Sequence, residues 1–168
     1  SNNKLKEKTM AAAETSAAPQ KITTFFMFSE GAGDAMNFYV SVFKNSKNIS
    51  TMPGPGGTVM GGTFELEGQR YNCFNGGPHF SFSSGISQLV SCETQGEIDY
   101  FYEKLSEGGE KQPCGWLKDK FGVSWQIVPS ILGELLGDKD PEKANRVLQA
   151  MLKMQKLDIQ ALKHAAGE

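Results

Sequence analysis

One stretch of this chain resembles another, and that internal likeness constrains the fold more than any other feature. At an offset of 63 residues, Gly33, Asp34, Phe38 and Tyr39 fall on Gly96, Glu97, Phe101 and Tyr102. Each set belongs to an amphipathic helical pattern: Ala35, Phe38, Tyr39, Val42 and Phe43 form one apolar stripe, and Ile98, Phe101, Tyr102 and Leu105 form the other. With one extra residue in the first loop, the apolar run ending at Phe28 falls on the run ending at Cys92. Two amphipathic helices can match by chance. Agreement of the flanking strand order argues instead for one supersecondary unit used twice.

The pattern around each helix supplies the rest of the unit. Ile22 to Phe28 is β-branched and aromatic, which predicts a buried strand ended by Gly31 and Gly33. After the first helix come short strand-like runs at Ile49 to Met52, Thr58 to Leu66 and Tyr71 to Asn75. They are split by a Pro-Gly turn over Pro53 to Gly57 and a turn at Gly68. In the second half, Ile86 to Cys92 reads as a strand, and Thr94 with Glu97 reads as a capping box opening a helix that Gly108 and Gly109 end. Short strands then fit Cys114 to Leu117 and Val123 to Val128, separated by the turn from Asp119 to Gly122. The expectation is an α+β protein of two tandem βαβββ units, about residues 21–78 and 84–129, within one domain spanning 21–168.

Residues 130–168 predict a helical tail. Asp140 is placed as an N-cap with Pro141 at the first helical position, followed by a stripe of Ala144, Val147, Leu148, Met151 and Leu152. Such a stripe either covers core or meets another subunit. A second cap is expected at Asp158, with Leu157 and Leu162 as a hydrophobic staple. Residues 1–20 are rich in Lys, Ala, Ser, Thr and Glu, the composition of a flexible lead or of residues added ahead of the native chain, and within them Met10 is a candidate native start.

Charge and composition narrow the partners. A formal net charge of −2, with no basic cluster along one face, gives nucleic acid little to bind. No run approaches the ~18 apolar residues that a membrane helix needs, and the amino end lacks a charged segment followed by an apolar one, so the expected setting is the cytoplasm. Cys73, Cys92 and Cys114 are odd in number and too far apart for a CxxC pair, and they read as reduced thiols.

The segments NFYVSVF at Asn37 to Phe43, FNGGPHF at Phe74 to Phe80 and CGWLKDKFGVSWQIVP at Cys114 to Pro129 resemble the PhnB-like family of the vicinal oxygen chelate, or glyoxalase-like, superfamily. That family also carries the label 3-demethylubiquinone-9 3-methyltransferase domain. The resemblance covers Lys21 to Ala165, and Trp116 to Pro129 is its most specific part. It implies that each unit curls its strands into a half-barrel around a small-molecule cavity, and that the protein pairs as a homodimer. In metal-using members of the superfamily, His and Glu ligands come from the first and fourth strands of each unit. Alignment of strand ends and turn glycines puts those positions at Thr23, Asn72, Ser87 and Gln126.

Hydroxyls and carboxamides are poor ligands for a divalent ion, which prefers imidazole or carboxylate here, but they are good hydrogen-bonding groups. The expectation is therefore a metal-free or weakly metal-binding cavity, with no cofactor. In it Thr23, Asn72, Ser87 and Gln126 either bind a small organic ligand or are satisfied barrel-interior groups. Whether binding leads to turnover stays open between an enzyme without the usual metal and a non-catalytic sequestration protein. His79 is a candidate acid or base, or a solvated loop residue. Trp116 and Trp125 are candidates to stack on a planar ligand or to fill core. Cys73 alternates away from Asn72, which disfavours a thiol nucleophile. The loop from Pro53 to Gly57 is a lid or a plain connection. Glu30-Gly31-Ala32-Gly33-Asp34 superficially matches the glycine turn of an S-adenosylmethionine site, but hairpins follow it where a Rossmann-type site needs alternating parallel strands and helices.

Overall fold

The computed structural model describes residues 20–168. Met10 and the rest of the expected lead, Gln20 excepted, lie outside them. The first unit comprises β1 (Thr24–Phe28), α1 (Ala32–Val42), β2 (Ser46–Pro53), β3 (Val59–Leu66) and β4 (Gln69–Asn75), in the sheet order β1-β4-β3-β2. The second comprises β5 (Gln88–Cys92), α2 (Gln95–Ser106), β6 (Glu110–Lys111), β7 (Trp116–Lys118) and β8 (Ser124–Pro129), in the order β5-β8-β7-β6. Two four-stranded sheets of one topology confirm the α+β reading and the duplicated unit.

Strand register gives the duplication residue by residue. β1 pairs in parallel with β4 from Thr24↔Tyr71 to Phe28↔Asn75, and β5 pairs with β8 from Gln88↔Trp125 to Cys92↔Pro129. These rungs equate Phe25 with Leu89, Met27 with Ser91, Asn72 with Gln126 and Phe74 with Val128. The likeness extends to the turns before β3 and β7, Pro55–Gly57 and Pro113–Gly115, each a single 3-10 turn with a left-handed middle residue, Gly56 (φ 67°) or Cys114 (φ 62°). Cys114, read from sequence as the start of a strand, lies in that turn instead, and β7 begins at Trp116. β1 and β5 likewise start two residues later than the apolar runs suggest. Ile22 and Ile86, equivalent in the two units, are 87% and 78% exposed.

Local chemistry explains both helices. Thr94 accepts a hydrogen bond from the Glu97 amide at 3.2 Å, opening α2 as expected. α1 has Gly31 at its N-cap with φ 81° and no side-chain cap of its own, and the Ala32 amide donates instead to Asn75 Oδ1 of β4 at 2.8 Å. The glycine turn thus serves helix entry. A Cβ on Gly33 would come within 2.9 Å of Val59 Cβ, so this glycine also lets α1 approach β3 closely, whereas its counterpart Gly96 meets only Thr94 Oγ1 at 3.8 Å.

The helix-side faces of both sheets share one core. Phe26, Phe28, Phe64, Tyr71 and Cys73 line it from the first sheet, and Leu117, Trp125 and Ile127 from the second. Tyr39 of α1 lies between them, with ring centroids 5.9 Å from Phe64 and 5.6 Å from Trp125. Its hydroxyl donates at 2.6 Å to Asp119, which is 2% exposed. That carboxylate also accepts from Trp125 Nε1 at 2.8 Å and from the Phe121 and Val123 amides at 2.9 and 3.0 Å. Burial pushes the Asp119 carboxyl up from its usual range, while the four donors pull it back. Asp119 thereby closes its own turn, fixes Trp125 and joins the two units.

The tail contains α3 (Leu132–Leu136), α4 (Pro141–Leu152) and α5 (Ile159–Ala165). Asp140 and Asp158 cap α4 and α5 through the Glu142 and Ala161 amides at 3.0 and 2.9 Å. Leu157 and Leu162 are both fully buried, as a staple requires. α3, a five-residue helix without a side-chain cap, is too short to have a readable period. The tail docks on the second unit through main-chain bonds. Cys114 and Gly115 donate to the carbonyls of Met154 and Gln155 at 2.9 and 2.7 Å, and Gln95 bridges the Leu157 carbonyl and the Ile159 amide.

Candidate functional site

Because side chains alternate along a strand, burying Phe26, Phe28, Tyr71 and Cys73 against the helices turns Phe25, Met27, Asn72 and Phe74 to the opposite, outer face of the first sheet. By the same alternation Leu89, Ser91, Gln126 and Val128 belong to the outer face of the second. The shared core lies between the sheets, so the two outer faces point away from each other within one chain. Phe25 and Leu89, equivalent residues on these faces, are 52% and 58% exposed.

Each outer face carries a neutral polar pair. Thr63 Oγ1 donates to Asn72 Oδ1 at 2.7 Å across β3 and β4. On the second sheet, Gln126 Nε2 donates to Ser87 Oγ at 2.9 Å. Trp116, half-buried, sits opposite Gln126 in the β7–β8 register. Thr23 is half-buried one residue before β1. The structure therefore joins Ser87 and Gln126 directly and places Trp116 beside them. Asn72 is on the other outer face, and His79 is exposed in the loop after β4. Trp125 is core, stacked on Phe43 with centroids 5.7 Å apart. Cys73 is fully buried on the helix side, and burial pushes its thiol up to about 11.

Thr63, Phe25 and Leu89 belong to these faces although sequence reasoning did not single them out. Only strand register reveals Thr63 as the partner of Asn72. Asp119 left a usable signal, being the one carboxylate inside the Trp116 to Pro129 motif. A cleft of about 510 Å³ also runs between the units along the free edge of β5, lined by Thr24, Phe43, Leu66, Tyr71, Gln88 and Trp125 among others. Tyr71 donates to Gln88 Oε1 there at 2.9 Å, and none of Thr23, Asn72, Ser87 or Gln126 lines the cleft.

The donors on the faces do not fit the metal that the superfamily commonly holds. Neutral hydroxyl and carboxamide groups stand at the four positions that the resemblance equates with metal ligands, and three of them, Asn72, Ser87 and Gln126, hydrogen-bond to other side chains. Among the described residues, no group of three His, Cys, Asp or Glu side chains is placed to hold a metal ion.

Paired βαβββ units with helices on one side of each sheet give the chain a glyoxalase-like fold. A family model described as 3-demethylubiquinone-9 3-methyltransferase matches residues 20–128, and the chain belongs to that PhnB-like family. A PhnB protein from Bacillus cereus, bearing the same methyltransferase label, is 39% identical over 66% of this chain and 99% of its own, with a TM-score of 0.61. Protein PA1353 from Pseudomonas aeruginosa is similar at 17% identity, over 66% of this chain and 97% of its own, with a TM-score of 0.53. A glyoxalase/bleomycin resistance protein from Albidiferax ferrireducens is 12% identical over 66% of this chain and 98% of its own, with a TM-score of 0.45. No curated protein matches the chain. No helix among the described residues is long and apolar enough to cross a membrane.

Proposed function

We propose that this protein binds a small organic molecule in a cavity that closes when two copies pair, the first sheet of one copy facing the second sheet of its partner. The outward direction of both faces carries this reading. Each is half of a cavity lining, with a hydrogen-bonding pair and exposed apolar side chains beside it, and the intervening core prevents the halves from meeting within one chain. β1 and β5 are edge strands, flanked by the equivalent exposed residues Ile22 and Ile86. Pairing with a second copy would cover them. The setting is the cytoplasm, which suits three free cysteines.

Asn72, Ser87, Gln126 and Thr63 recognise the ligand through donors and acceptors, with Trp116 as an aromatic wall. Nothing in the two polar pairs titrates near neutral pH. That chemistry favours binding or sequestration over acid–base turnover, for which His79, exposed in the loop after β4, is the candidate group. Methyl transfer has the least support. Each sheet holds a single parallel pair, and the glycine turn before α1 is occupied with helix entry and close packing against β3.

Elemental analysis of purified, tag-free protein after incubation with nickel, zinc, manganese and iron tests the donor argument. The expected result is no stoichiometric ion. One ion per chain would overturn it and restore metal-assisted chemistry.

A further inference from the structure

The duplicated unit contains its own control. Phe74 and Val128 are equivalent by register, paired directly with Met27 and Ser91 respectively, and both belong to the outer faces. Phe74 is half-buried, whereas Val128 is 9% exposed. The difference is the tail. Val128 clusters with Leu135, Val147, Leu157 and Leu162, against which Met151 and Met154 pack half-buried. The outer face of the second sheet therefore stops just past Gln126, while that of the first runs on to Phe74 and Met27. The tail that causes this asymmetry lies beyond the residues matched by the family model.

From this asymmetry we propose that α3, α4 and α5 form an end wall of the ligand cavity on the second-sheet side, with Met151 and Met154 meeting the apolar end of the bound molecule. The inference rests on the cavity reading above. It adds a direction to the ligand: a polar portion beside Ser87 and Gln126, and an apolar end toward the tail. Methionine suits such a wall, because its unbranched thioether adapts to apolar groups of different shape. Length selection then comes from the tail, whereas polar recognition comes from β5 and β8.

The test uses full-length protein labelled with ¹³C at the methionine methyls, titrated with 8-anilinonaphthalene-1-sulfonate as an amphipathic probe. The Met27, Met151 and Met154 resonances are expected to shift together with one saturation curve, while Met36, 1% exposed in the core, stays fixed. In Ser87→Trp, where an indole fills the face beside Gln126, all three shifts are expected to disappear with Met36 unchanged, which also reports that the fold is intact. Movement of Met27 without Met151 and Met154 would overturn the wall and leave the cavity standing. No movement at any of the three would overturn the cavity reading and the wall with it. Tail shifts that persist in Ser87→Trp would place the probe on the exposed Leu148 and Leu152 of α4 and overturn the proposal.

Discussion

Asp119 spends its hydrogen-bonding capacity on four donors drawn from both units, so its loss is felt across the molecule. In Asp119→Asn the amide would face donors where a carboxylate accepted, and a loss of about 2–4 kcal/mol is expected in urea unfolding. A change below about 0.5 kcal/mol would mean that the joint is dispensable. Ser124 presents the opposite case: its hydroxyl is buried with no partner among the described residues. Ser124→Ala is expected to be neutral or stabilising by up to about 1 kcal/mol, and a clear destabilisation would reveal a partner for that hydroxyl. The cysteines separate by burial. With Cys73 and Cys92 fully buried and both thiols pushed up to about 11, iodoacetamide at neutral pH is expected to label only half-buried Cys114 in folded protein, as mass spectrometry would read. At this scale Asp119, the one carboxylate of the Trp116 to Pro129 motif, reads from sequence only as the start of a turn, and its buried joint between the units comes from the structure. The sequence was silent on Thr63, whose role depends on which residue lies across the strand.

Among the elements, the strands and long helices were legible because alternation and helical period are local signals, and the caps at Thr94, Asp140 and Asp158 appear where the side-chain chemistry puts them. Strand starts were less legible. Ile22 and Ile86 prolong an apolar run yet stand in solvent, since composition cannot separate a core residue from one on an exposed edge. The tail's docking adds a pH signature. Asp99 accepts from Gln95, the residue that bridges to α5, and forms an ion pair with Lys156 at 3.0 Å; these hold its carboxyl below the usual range. A depressed folded pKa means the stabilisation is complete above the unfolded value and is lost as pH falls through the folded one. The Ile159 amide, which donates to Gln95, is expected to report this titration by NMR below the ordinary carboxylate value. Titration at the ordinary value would show that Asp99 takes no part in tail docking.

For the whole molecule, the repeat at an offset of 63 residues was enough to anticipate two copies of one unit. It did not show how they are arranged. That depends on which face each strand buries, settled by contacts such as Tyr39 to Trp125 that join residues far apart in the chain. Because the helix sides face inward, the candidate ligand groups lie on opposite surfaces, and the central claim is that a second copy brings such surfaces together. Sedimentation equilibrium of the wild type and of Phe25→Glu/Leu89→Glu tests this most directly. The expected result is a wild-type particle of twice the 18.3 kDa chain mass and a double variant at 18.3 kDa with its far-ultraviolet dichroism intact. A wild type at 18.3 kDa, or a double variant that stays paired, would contradict the claim.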